Sequence, residues 1–324
     1  MKKPLIFLFV VTMLLSSVLT GCSQKDDDML KIGVIQLTEH PALDATYNGF
    51  IDGLKEAGYE DGVNISVDFN SAQNDQSNCD TIATKLVNDK SDLILAIATP
   101  AAQAVANKTD TIPVLVTAVT DPESSGLVDS NEAPGGNISG TSDLTPVKEQ
   151  IKLLQELLPG AKSVAVLFNS SETNSQFQAE LAKAEIEAAG LTYIEATVSN
   201  TNEIQSVVQS LIGKADAIYS PTDNMIAQSM SAVSSIATEN GIPCIVGEEG
   251  MVSTGGLATY GINYYNLGKQ TAAQAVKILK DGTNPGDMPI EYLTNATLMI
   301  NKTIADELGL VIPEDKLTEA TFVE

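Results

Sequence analysis

The sequence predicts an α/β protein of two doubly wound, Rossmann-like lobes joined by a multi-strand hinge. Three observations carry this expectation. Strand-length and helix-length apolar patterns alternate along the chain, the alternation restarts half-way, and the two series match in detail.

The first series opens with a short apolar run at residues 32–37. Tyr47, Phe50, Ile51 and Leu54 then recur at helical spacing, with Gly58 near the helix end. Ile65, Val67 and Phe69 alternate as a strand, and Ile82, Ala83, Leu86 and Val87 stripe the next helix. Residues 93–97 and 114–119 are unbroken apolar runs, the pattern of parallel strands buried on both faces. The second series predicts strands at 164–168, 193–198, 217–219 and 243–246, with helices at 175–189, 203–212 and 225–240 between them.

Ser91-Asp92-Leu93-Ile94 in the first half corresponds to Ala215-Asp216-Ala217-Ile218 in the second. Thr99-Pro100 corresponds to Ser220-Pro221, a hydroxyl and a proline at a helix start. Ile112-Pro113-Val114-Leu115-Val116 corresponds to Ile242-Pro243-Cys244-Ile245-Val246. Three matches in register indicate a duplicated lobe. The Gly-, Asn- and Ser-rich segment 134–143 is the expected first crossing, with further crossings at 261–264 and near Asn295. The expected division is 30–143 with about 263–294 for the N-terminal lobe, and 144–262 with about 295–324 for the C-terminal lobe. Such a clamshell binds ligands where strand C-termini of both lobes meet.

The chain start sets the compartment. Lys2 and Lys3 precede an apolar run at residues 4–19 that is short for a membrane span, so residues 1–21 read as a signal peptide. Leu19-Thr20-Gly21-Cys22 resembles a bacterial lipobox, which implies lipidation of Cys22 and a polar tether over residues 22–29. The expected location is extracytoplasmic, at the membrane surface.

All 18 basic residues are lysine. After cleavage, 16 lysines face 42 acids, a net charge of −26. Such a chain is repelled by nucleic acid and by anionic membranes. Without arginine there is no guanidinium clamp, so an anionic ligand group falls to backbone N–H groups, hydroxyls or lysine. Cys79 and Cys244 read as buried free thiols.

Gln36 to Ala45, Ala98-Thr99-Pro100-Ala101-Ala102 and Ala118-Val119-Thr120-Asp121-Pro122 stand at strand-to-helix junctions of the first half. Pro221-Thr222-Asp223-Asn224 and the stretch from Ala258 to Tyr264 stand in the second. With these motifs the mature chain resembles the tryptophan/aromatic-amino-acid type of ABC transporter substrate-binding lipoproteins, within the type I periplasmic-binding-protein superfamily. The resemblance implies a monomeric solute-binding lipoprotein serving an ABC permease, with no cofactor.

The junctions supply the candidate contacts. Thr99 and Ala101 open a helix whose free N–H groups suit a carboxylate, and the resemblance implies that role; an ordinary helix cap explains the same residues. Thr117 and Thr120 are placed to complete the cradle. Asp223 and Glu248 compete, with Glu249, to accept a ligand ammonium. Asn169, Glu172, Asn174 and Ser175 lie between strand and helix, with Asn174 or Ser175 alternatively a cap. Thr222 and Asn224 flank Asp223, and Tyr264 either stacks on an aromatic ligand or packs. His40, the lone histidine, lies beside Gln36 in the first cleft loop. No Gly-x-Ser-x-Gly turn, Walker loop or second histidine accompanies it, which argues against an enzyme. A lipid-anchored sensor, or an importer component for a branched-chain amino acid, sugar or purine, stays open on the sequence.

Overall fold

The computed structural model describes residues 29–293 and 295–324. The expected signal peptide, the lipobox with Cys22, and the tether apart from residue 29 lie outside the described residues.

The first lobe comprises β1 (Leu30–Gln36), α1 (Pro41–Glu56), β2 (Ile65–Ser71), α2 (Gln76–Asn88), β3 (Leu93–Ile97), α3 (Thr99–Ala106), β4 (Val114–Val119) and β5 (Ile138–Ser142). The second comprises α4 (Val147–Leu157), β6 (Ser163–Asn169), α5 (Thr173–Ala188), β7 (Thr192–Val198), α6 (Thr201–Ser210) and β8 (Ala217–Ser220). It continues with α7 (Asn224–Gln228), α8 (Met230–Glu239), β9 (Cys244–Val246), α9 (Glu249–Ser253) and β10 (Ala258–Gly261). The chain then returns to the first lobe with α10 (Tyr264–Asp281) and β11 (Glu291–Tyr292). It finishes in the second with β12 (Thr297–Asn301), α11 (Lys302–Glu307), α12 (Glu314–Glu319) and β13 (Thr321–Val323).

The sheets run β11-β5-β4-β3-β1-β2 and β13-β12-β10-β9-β8-β6-β7. Their central strands repeat one doubly wound order, β2-β1-β3-β4-β5 against β7-β6-β8-β9-β10, so the duplication read from local matches extends to topology. All pairings are parallel except β10 with β12. Parallel central strands must be covered on both faces, and β3 and β4 are buried along their whole length. One apolar core unites the first lobe, while two clusters cover the faces of the second sheet.

Two expectations are revised. Within the stretch expected as the first crossing, Ile138–Ser142 is a buried strand, so the crossing begins only at Asp143. Its composition is loop-like because its hydroxyls are satisfied internally: Ser139 Oγ donates to the Met288 carbonyl at 2.8 Å, and Thr141 Oγ1 donates to Thr117 Oγ1 at 3.0 Å. The helix expected over 225–240 is two helices, α7 and α8, meeting at Ser229 (φ −106°, ψ 9°).

The return helix α10 lies against α1 at close range. A Cβ on Gly268 would stand 2.0 Å from the Thr46 carbonyl oxygen, and one on Gly49 2.0 Å from that of Tyr265. Glycine at these positions lets the two backbones approach, and this seats Tyr264, the first residue of α10, at the hinge.

Candidate ligand-binding cleft

In each sheet the strand order reverses between the first and third strands, so the loops after β1 and β4 confront those after β6, β8 and β9. These loops enclose a narrow cleft whose empty space, counted together with the open solvent at its mouth, is about 280 Å³. His40, Leu43, Ala118 and Thr120 line it from the first lobe. Asn174, Thr222, Asp223, Asn224, Ala227 and Glu248 line it from the second, and Asp143 and Tyr264 stand at two crossings.

Four buried carboxyls surround this space, and none of the lining residues is a lysine. Asp223 caps α7: Oδ1 accepts from Ile226 N at 2.8 Å and Oδ2 from Asn169 N at 2.6 Å. Glu248 caps α9, accepting from Gly250 N and from Met251 N at 2.7 Å. Burial pushes its carboxyl up to about 7 despite these bonds. Glu172 accepts amide N–H from Asn169 at 3.0 Å and Asn224 at 2.6 Å. Burial, then the charge of Asp223, raises it above the usual carboxylate range. Asp143 differs from the other three. Its Oδ2 accepts from the Tyr264 hydroxyl at 2.7 Å, while its Oδ1 is buried without a partner. Burial raises Asp143, and the hydrogen bond from Tyr264 opposes the rise.

His40 sits at the N-cap position of α1, before Pro41, with its Nε2 at 3.4 Å from Asn224 Oδ1. Burial pulls it down to about 4, so the imidazole is neutral at ordinary pH. Further bonds tie the lobes. Thr120 Oγ1 lies 3.4 Å from Thr222 Oγ1, and Gln178 Nε2 donates to Thr120 Oγ1 at 3.2 Å. All are at the long end for hydrogen bonds, so they cost little to exchange for bonds to a ligand. Behind the cleft, buried Gln150 braces the Glu248 loop. Its Nε2 donates to the Gly247 and Tyr260 carbonyls at 3.1 and 2.8 Å, and its Oε1 accepts from Tyr219 OH at 2.7 Å.

Of the residues singled out in the sequence, His40, Thr120, Asn174, Thr222, Asp223, Asn224, Glu248 and Tyr264 come together on this cavity. Gln36, Thr99, Ala101, Thr117, Asn169, Glu172 and Ser175 do not line it in this closed arrangement. Gln36 Nε2 donates to the Thr38 carbonyl and Asp44 Oδ1, shaping the loop that carries His40. Thr99 and Ala101 are buried in the first turn of α3, and Thr117 is held by Thr141. Asn169, Glu172 and Ser175 brace the wall formed by Asn174, Asp223 and Asn224. Glu249, the third candidate for the ammonium, instead accepts from Thr297 Oγ1 at 2.7 Å.

Sequence reasoning missed Leu43, Asp143, Ala118 and Ala227. Asp143 had a legible signal, since it is the acid that closes the expected first crossing. Ala118 stands in a junction motif the sequence singled out, but its own contact was not legible: it lines the cavity with φ of 52°, at an irregularity between Val116 and Val119 of β4, a conformation its residue type disfavours.

Residues 31–324 match the family described as ABC transporter substrate binding protein. The chain belongs to that family. This binding protein is 43% identical over 322 residues to a tyrosine-binding protein of Clostridioides difficile, covering 95% of this chain and 93% of the relative. It is 42% identical to an ABC domain from Streptococcus pneumonia solved in complex with L-Trp, covering 91% and 100% of the two chains with a TM-score of 0.88. A ligand-free, open substrate-binding protein with adhesive properties from Clostridium difficile is 45% identical, covering 91% and 99%, yet superposes at only 0.70. The higher identity with the lower score is the mark of lobe rotation rather than divergence, and the cross-lobe contacts place this binding protein on the closed side. As a substrate-binding protein of an ABC importer it works outside the cytoplasm. No helix among the described residues is long and apolar enough to cross a membrane.

Proposed function

We propose that this binding protein captures an aromatic L-amino acid between its lobes and delivers it to an ABC permease. The observation that carries the reading is a buried, acid-lined cleft without a lysine in its walls, where Asp143 Oδ1 has no partner. An ammonium suits that oxygen, because a buried carboxylate is costly until a charged donor meets it. The other half of the ligand's main chain is a carboxylate. With no arginine in the sequence, it falls to the cavity-lining hydroxyls of Thr120 and Thr222 and to backbone N–H groups of the cleft loops. Leu43, Ala118, Ala227 and Tyr264 supply apolar surface for a ring. The L-Trp complex and the tyrosine-binding relative support the same ligand class.

In this reading the protein makes no covalent change to its ligand and acts as a monomer, held at the membrane by lipid on Cys22. Closure follows from ligand contacts to both lobes, which bind the closed state better than the open one.

The chain contains no tryptophan. Emission excited at the red edge therefore comes from L-tryptophan and not from the protein, and a shifted maximum reports the bound fraction. Added L-tryptophan should show shifted emission, and L-tryptophan or L-tyrosine should raise the melting temperature by mass action. Neither effect at millimolar L-tryptophan, L-tyrosine or L-phenylalanine would defeat the aromatic assignment.

A further inference from the structure

Three polar atoms of cavity-lining side chains find no partner: Asp143 Oδ1, Asn174 Oδ1 and His40 Nδ1. Each is an acceptor, and the surrounding bonds decide this. Asn174 Nδ2 faces Glu172 Oε2, Ser175 Oγ and the Thr222 carbonyl at 3.3–3.4 Å, so its oxygen is the end left over. Asn224 Nδ2 donates to Glu172 Oε2 at 2.6 Å, which turns Asn224 Oδ1 toward His40. An amide oxygen only accepts, so His40 Nε2 carries the ring proton and Nδ1 presents a lone pair.

Apolar side chains line the same cavity as that lone pair. Leu43 lies in the first turn of α1, the helix that begins after His40, and Ala227 lies one turn beyond Asn224 in α7. Both line the cavity, whereas Asp143, Tyr264 and Glu248 interact with one another at the hinge. His40 Nδ1 is thus an acceptor that nothing in the fold claims, in a cavity that also has apolar walls.

We propose that His40 Nδ1 accepts a hydrogen bond from a donor on the ligand's ring, so that the cleft takes indole and phenol side chains and discriminates against a bare phenyl ring. The proposal rests on the aromatic reading above and names the subclass of ligand. A site that has buried an acceptor for a ligand donor rejects the analogue lacking it, because the acceptor is then sealed from water without a partner.

Calorimetric titration of the purified protein with two matched pairs tests this. L-tyrosine is compared with L-phenylalanine, and L-tryptophan with L-3-benzothienylalanine, where sulfur replaces the indole N–H in a ring of similar shape. The donor-bearing member of each pair should bind about tenfold or more tightly, and both ratios should shrink toward one in His40→Leu. His40→Phe, which keeps a planar ring without a lone pair, repeats the variant arm if His40→Leu does not fold. Equal affinities within each wild-type pair would overturn the proposal, and ratios that persist in both variants would overturn the assignment to His40. If none of the four ligands binds, the aromatic reading itself has failed.

Discussion

Replacing Asp143 with asparagine separates the ligand's demand on the cleft from the fold's. The side chain is buried, so Asp143→Asn keeps the volume and keeps an oxygen to accept from the Tyr264 hydroxyl, now 2.7 Å from Oδ2. What disappears is the charge behind the unpartnered Oδ1. If that oxygen holds the ligand ammonium, the loss is one charge-assisted hydrogen bond, about 1.5–3 kcal/mol, or roughly a 10- to 150-fold rise in Kd. The unliganded protein should lose nothing. Its carboxylate is held up by burial with no cation to meet it, and removing such a charge is neutral or stabilising. Calorimetry gives the affinity and thermal unfolding without ligand gives the stability. Unchanged affinity in a folded variant would refute the assignment, as would a loss of unliganded stability on the scale of a core cavity. Tyr264→Phe refines the test. Asp143 must be ionised to hold an ammonium, and the Tyr264 hydroxyl favours the ionised form. Without it the affinity lost on acidification should be lost at a higher pH.

Three further outcomes follow from the same geometry. The Glu248 carboxyl is raised from 4.5 to about 7, so the folded state holds that proton more tightly than the unfolded chain does. Unliganded stability should therefore fall as pH rises from about 4.5 to 7, by about 3 kcal/mol from this group, and Glu248→Gln should flatten the melting-temperature profile over that window. Gly268→Ala should destabilise by the upper end of about 1–3 kcal/mol in thermal unfolding, because the new Cβ meets the Thr46 carbonyl, even though alanine is the better helix former. Cys22→Ser should release the protein from the membrane or leave it unprocessed, and equal membrane retention on fractionation would remove the lipid anchor from the reading.

The alternation of strand and helix, the restart of the series and the shared Thr-Pro and Ser-Pro junctions were enough to name two doubly wound lobes, because these patterns are local. Apolar periodicity, prolines at helix starts and glycines at turns act within a few residues of themselves. The missing arginine and tryptophan are equally visible in one dimension, and they bear directly on how a carboxylate is held and how a ligand is detected. The cleft loops were legible for the same reason, since every junction that follows a parallel strand is a candidate wall.

Which atoms of those loops remain free is a different kind of fact. Asp223 and Glu248 look like ammonium partners in the sequence, and the fold engages both as caps of short helices. Asp143 looks like the end of a linker, and the fold leaves one of its oxygens unmet. His40 acquires its tautomer from Glu172 through Asn224, over a sequence separation of 184 residues between His40 and Asn224. A sequence states how many donors and acceptors a chain carries. Only the folded arrangement decides which satisfy one another, because hydrogen bonds are short and directional, and the partners of His40 and Asp143 lie 184 and 121 residues away.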